Sequence, residues 1–257
     1  MSDSELLKKA TTWLQSQGYP LEMRVARAFQ ATGWEVSQSI CYVNDDEVAR
    51  EIDVVAALSR WVDNILVTVQ VVIECKRATD RPWVAFTTRR SQPEGSWEWP
   101  DRIASKAGSA FLEYMTRQPE IRALRYFQLS DRVAYAVTEA FHSGKDVPYG
   151  ACLSVSSAAA TFASRSGGLI RIFLPIIVID GRLIDAFLAP DGELVTRFLP
   201  SVRLLLRHPS TGVWQTEISI VTESALGPFV SDVTDAANAL LAADHPIRLF
   251  DQSRAEA

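Results

Sequence analysis

Arg50-Glu51-Ile52-Asp53-Val54-Val55-Ala56-Ala57-Leu58 and, a few residues on, Val67-Thr68-Val69-Gln70-Val71-Val72-Ile73-Glu74-Cys75-Lys76 decide how the chain reads. β-Branched residues dominate both stretches, and the turn-like Trp61-Val62-Asp63-Asn64 lies between them, so they read as two strands. Alternate side chains of a strand share a face, which puts Glu74 and Lys76 together and turns Cys75 away. In a hairpin Asp53 can stand beside Glu74. Two carboxylates and one amine then converge at the end of an apolar sheet, a costly arrangement unless a metal or a reaction uses it.

Upstream, Ser4 to about Gln17 reads as a helix with Leu6, Leu7, Ala10, Trp13 and Leu14 at helical spacing, closed by Gly18. Tyr19-Pro20 opens a second helix that runs to Thr32 and stops at Gly33. Glu22, Val25, Ala26 and Phe29 share one of its faces, so Glu22 is an acid at the edge of an apolar stripe. Taken alone, Glu22 reads as a first-turn glutamate favoured by the helix dipole. Trp34 to Tyr42 alternates as a strand, and the acidic run Asn44-Asp45-Asp46-Glu47 makes a solvated turn into the next one.

Downstream, residues 65–76 are apolar on both faces, the pattern of a central strand. Arg77 to Asp101 shows no clear periodicity and reads as a long loop, a candidate substrate flap. It interleaves Trp83, Phe86, Trp97 and Trp99 with Arg77, Arg81, Arg89 and Arg90, residue types that suit phosphate contact and base stacking. Packing on the core is the better reading of the tryptophans. Arg102 to Arg117 reads as an amphipathic helix with Arg102 and Lys106 off its apolar stripe, and residues 131–143 and 150–164 read as two more helices. From Leu169 the period changes to strands: 170–179, 182–188, 193–198, 202–207 and 213–222. Asp180-Gly181, Asp191-Gly192 and a Pro-Ser-Thr-Gly turn punctuate them as hairpins of a meander. A last helix, Phe229 to Ala243, carries Val230, Val233, Ala237 and Leu240 inward, and a polar, frayed tail follows Phe250.

Composition sets the bounds. The chain has 257 residues, 47% apolar and 22% charged, as expected of a globular fold with one large core. Cys41, Cys75 and Cys152 form neither a paired framework nor a metal spacing, and no signal peptide is evident, so a reducing cytoplasmic setting is expected. The longest apolar run, Ile172 to Ile179, is too short for a membrane span. The net charge of −5 conceals a local excess: residues 76–132 carry 11 basic against 7 acidic groups, the polarity a phosphate-binding face needs. His142, His208 and His245 lack zinc-site spacing, and no phosphate-binding G-x-x-x-x-G-K-[ST] loop or G-x-S-x-G elbow occurs.

A helix with Glu22, a strand, a strand with Asp53, a strand with Glu74-Cys75-Lys76, helices and a further strand: this order resembles the PD-(D/E)XK nuclease superfamily, the restriction-endonuclease-like fold, over roughly residues 19–180. Ile52 stands where the name-giving proline would be. The resemblance implies an α/β fold made of a 1–18 N-terminal helix, a 19–180 core and a β-rich 181–257 extension within the same domain. Mg²⁺, with Mn²⁺ as substitute, takes oxygen ligands and only one or two carboxylates, which Asp53 and Glu74 can supply. The resemblance adds the Cys75 backbone carbonyl as a third ligand, Lys76 as the group that orients the attacking water, and Glu22 as holder of a metal-bound water or second metal. It implies a nucleic-acid substrate, DNA before RNA, in a setting of restriction, phage defence or repair. Arg77, Arg81, Arg89, Arg90, Arg102 and Lys106 are the expected nucleic-acid contacts. Two alternatives stay open: a non-cleaving nucleic-acid- or protein-binding module, whose extension would suit a homodimer interface, and a different α/β enzyme in which Lys76 makes a structural salt bridge.

Overall fold

A computed structural model describes residues 2–242 apart from 45–46, 63, 91–102, 142–143, 145 and 208–215. The fold is mixed α/β. Its strands are β1 (Glu35–Val43), β2 (Ala49–Val62), β3 (Ile65–Arg89), β4 (Ile103–Ala104), β5 (Arg132–Glu139), β6 (Ile170–Leu188), β7 (Leu194–Leu199), β8 (Ser201–Leu206) and β9 (Thr216–Thr222), all in one sheet. Among the described residues the helices are α1 (Asp3–Gln15), α2 (Tyr19–Gln30), α3 (Lys106–Met115), the short α4 (Pro119–Arg122), α5 (Val147–Ser164) and α6 (Leu226–Leu241). None of them is long and apolar enough to cross a membrane.

β1, β2 and β3 form the expected antiparallel meander, with Ile40 opposite Ile52, Val54 opposite Ile73 and Val62 opposite Ile65. β3 also lies parallel to β6 from Val67↔Ile170 to Phe86↔Ala186. Beyond that the pairing closes on itself: β3 to β5, β5 to β8, β8 to β9, β9 to β6 and β6 back to β3. Such a central position leaves β3 buried on both faces, which explains its near-continuous β-branched run. Val67, Val69, Val71, Ile73 and Cys75 pack against Leu21, Val25 and Phe29 of α2, Phe111 of α3 and Val233 of α6. On the opposite face Val72, Trp83, Phe173, Ile177 and Ile220 pack against Ala151, Val155, Ala158 and Ala159 of α5. Each large side chain so buried contributes roughly 1.5–3 kcal/mol. Small residues on α5 let it lie close to the sheet, and Asp146 caps it by accepting from the Tyr149 N–H.

Several expectations need correction. Arg77 to Arg89 is not a loop or a flap: it is the second half of β3. Buried Trp83, Ala85 and Thr87 alternate with more open neighbours, and Pro82 sits within the register irregularity between Ala78 and Trp83, where its missing N–H breaks no regular ladder. Residues 132–139 are strand β5 rather than helix, because Val133, Ala134 and Val137 pair with β3, and Ala134 and Val137 also fill the core under α5. Asp180-Gly181 is no hairpin; β6 runs straight through it. Gly181 is there because a Cβ would stand 2.3 Å from the Ala78 carbonyl oxygen of the parallel strand. The helix expected from Arg102 starts only at Lys106. Ser105 caps it, accepting from the Gly108 N–H at 3.0 Å, while Ile103 and Ala104 pair with β6. The C-terminal strands are not a simple meander either, since β7 pairs with β6 whereas β8 and β9 insert between β5 and β6. The Asp191-Gly192 hairpin, α5 and α6 with Val230, Val233, Ala237 and Leu240 buried are as expected. Asp45, Asp46, Trp97, Trp99, Arg102, the Pro-Ser-Thr-Gly turn, the three histidines and the tail lie outside the described residues.

Candidate active site

Asp53 sits where β2 leaves β3. The β2–β3 ladder is regular up to Val54↔Ile73, whereas β2 continues along β1 as far as Ala49. Opposite Asp53, Ser39 adopts φ 53°, and the facing of β2 slips by one residue: Val54 packs into the core under α2, Ile52 into the core under α5. The Asp53 Oδ2 consequently reaches the gap left by the diverging strand and accepts from the Cys75 N–H at 2.6 Å. The N–H and C=O of one strand residue lie on the same edge, so the Cys75 carbonyl shares the edge on which Asp53 sits.

Glu74 is 6% exposed and both of its oxygens are held. Oε1 accepts from Lys76 Nζ at 2.5 Å, and Oε2 accepts from Ser154 Oγ of α5 at 3.1 Å. Cys75 faces the other core and packs there; burial pushes its thiol up, which makes it inert as a nucleophile. Glu22, half-buried on α2, completes the group, and its carboxyl is held above the usual range by burial and by Asp53 and Glu51. Burial also raises Asp53, outweighing the Cys75 N–H and the Lys76 charge, and raises Glu74 despite Lys76, with Asp53 adding to the effect. Burial works to lower Lys76, but attraction to Glu74, the hydrogen bond with it and the charge of Asp53 outweigh this and raise it.

The structure therefore brings Glu22, Asp53, Glu74 and Lys76 into one electrostatic cluster. Burial is the largest cause of the raised values of all three carboxyls, and repulsion between acidic neighbours adds to it in each. Among the described residues no group of three or more His, Cys, Asp or Glu side chains is arranged to hold a metal ion, and the carboxylates that could serve as oxygen donors here are the pair Asp53 and Glu74. That number fits Mg²⁺, which keeps several of its waters. The clefts of about 460 to about 740 Å³ described on the molecule are lined by other residues.

The expected nucleic-acid contacts are not gathered into one patch. Arg77 is exposed beside Lys76, and Arg81 is ion-paired with Glu139 at 3.5 Å. Arg89 and Arg90 stand at the far end of β3, and Lys106 is exposed in the first turn of α3. Three participants were missed by sequence reasoning. Ser154 lies in an alanine- and serine-rich helix with nothing to mark it. Tyr42, whose hydroxyl donates to the Ser154 carbonyl at 3.4 Å, looked like an ordinary strand aromatic. Glu51, which acts on Glu22 and Asp53, could have been noticed, since it shares the Asp53 side of a regular strand. Comparison of the chain with family models, curated proteins and solved structures gives no match.

Proposed function

We propose that this protein is a metal-dependent nuclease that hydrolyses phosphodiester bonds, above all in DNA, on a restriction-endonuclease-like core formed by residues 19–180. The observation that carries the reading is the Asp53 carboxylate fixed on the Cys75 N–H beside the Glu74–Lys76 pair. Asp53 and Glu74 would hold Mg²⁺ or Mn²⁺, with the Cys75 carbonyl on the same edge. The ion would supply Lewis acidity and a water of lowered pKa. Lys76 orients the attacking water and offers charge to the phosphate, Glu22 holds a water at the rim, and Ser154 fixes the Glu74 carboxylate. The preference for DNA rests on the motif resemblance.

Incubation with circular DNA, linear DNA and RNA, with and without Mg²⁺, tests the proposal. Asp53→Ala, Glu74→Ala and Lys76→Ala should each abolish Mg²⁺-dependent cleavage while leaving the protein folded; undiminished cleavage by all three variants would refute it. One observation favours a second reading, a binding module that does not cut: Lys76 and Glu74 already satisfy one another at 2.5 Å. Salt-dependent nucleic-acid binding with no heat of Mg²⁺ binding in calorimetry would select that reading.

A further inference from the structure

Far from Glu74, four strands place one row of polar side chains on the sheet face that continues the α5 core. Asp185 on β6 is 1% exposed, yet it accepts from Thr87 Oγ1 of β3 at 2.5 Å and from Arg197 Nε of β7 at 3.0 Å. Thr87 in turn accepts from Arg132 of β5, through Oγ1 from Nε at 2.8 Å and through its carbonyl from Nη2 at 2.9 Å. Both guanidinium groups lie against the Phe187 ring, Arg132 at 3.8 Å and Arg197 at 5.5 Å from its centroid. Arg89 stands directly opposite Arg132 in the β3–β5 ladder. Like charges in that position destabilise a sheet, and the one buried carboxylate of the row binds Arg197 directly and Arg132 only through Thr87. An open cleft of about 500 Å³ lies over the row, lined by Arg89, Arg132, Phe187 and Tyr135 among others. Tyr135, 63% exposed, is the residue skipped by the ladder between Ala136↔Phe86 and Ala134↔Thr87.

We propose that this cleft binds the phosphodiester backbone of a nucleic acid, with Arg89 and Arg132 on phosphate oxygens and Tyr135 against a sugar or base. Thr87 holds Arg132 through both Nε and Nη2, so that fork is fixed before a ligand arrives. Preorganised guanidinium forks match phosphate geometry and lose little freedom on binding, and an exposed aromatic beside them offers a stacking surface. The identity of the ligand rests on the function proposed above. Lys76 pairs with Ile179, eight residues before Phe187 on β6. At about 3.3 Å per residue the cleft lies roughly 25 Å from the Glu74–Lys76 pair. A duplex would span that gap with about seven base pairs, so one substrate can touch both.

The test is fluorescence anisotropy of the full chain with a labelled single strand and a duplex of about 20 nucleotides per strand, in EDTA and across a salt series. Arg89→Ala and Arg132→Ala should each weaken binding several-fold and lower the slope of log K against log salt by about 1. Arg132→Lys, which keeps the charge and loses the fork, should recover only part of the affinity. Arg89→Ala guards against misfolding, because Arg89 stands outside the Asp185 network. Wild-type affinity and slope in both alanine variants would overturn the proposal, as would failure of the wild type to bind either oligonucleotide. Mg²⁺-dependent cleavage measured in parallel separates the two readings. Cleavage with arginine-independent binding removes the cleft alone; arginine-dependent binding without cleavage leaves the cleft standing and removes the nuclease.

Discussion

Replacing Lys76 by Met tests the electrostatics on which the candidate site depends. The substitution keeps an unbranched chain of similar length and removes the ammonium, so Glu74 keeps only its bond from Ser154. Breaking a fully buried ion pair by removing one partner costs about 3–5 kcal/mol. The side chain of Glu74 is 8% exposed and that of Lys76 30%, and Ser154 remains, so a loss of about 2–3 kcal/mol is expected at pH 8. The sign of the pH dependence follows from Glu74. Its folded pKa lies above the ordinary 4.5, so its contribution to stability is fully present below 4.5 and is lost as pH rises through the raised folded value. Without Lys76 that folded value rises further and the loss deepens. Urea unfolding of wild type and variant at pH 8, 6 and 4.5 should therefore show a difference that shrinks toward zero in acid, and Glu74→Gln in the same background should remove most of the pH dependence. A penalty that stays constant with pH, or one below about 0.5 kcal/mol at pH 8, would refute the reasoning.

Two further tests probe the frame around the site. Gly181→Ala should destabilise the protein by about 3 kcal/mol or more in urea unfolding, since the added methyl forces β3 and β6 apart in mid-ladder; an unchanged midpoint would show that the two strands do not approach as described. Titration with a thiol reagent at pH 8 should find one fast cysteine, the exposed Cys41, and two that react only after denaturation. Burial pushes the Cys152 thiol up to about 12 and raises Cys75 as well, so three equally fast thiols would contradict the packing of β3 and α5.

By itself the chain determined the meander of β1, β2 and β3, helix α2 with its apolar stripe, and the shared face of Glu74 and Lys76, because all of these follow from the local periods of strand and helix. Asp53 beside that pair was legible too, since a short turn leaves a hairpin few registers. The rest depended on partners distant in sequence. Residues 132–139 could serve as helix or strand until β3 claimed Val133, Ala134 and Val137. Asp180-Gly181 carries the local chemistry of a turn, and only the backbone of Ala78 across a parallel ladder explains why it is straight. Ser154 reaches Glu74, and Arg132 reaches Thr87, across 80 and 45 residues of chain. Neither contact leaves a trace in local spacing, because which strand lies beside which is settled by burying the whole sheet at once, and the tertiary structure alone records that choice.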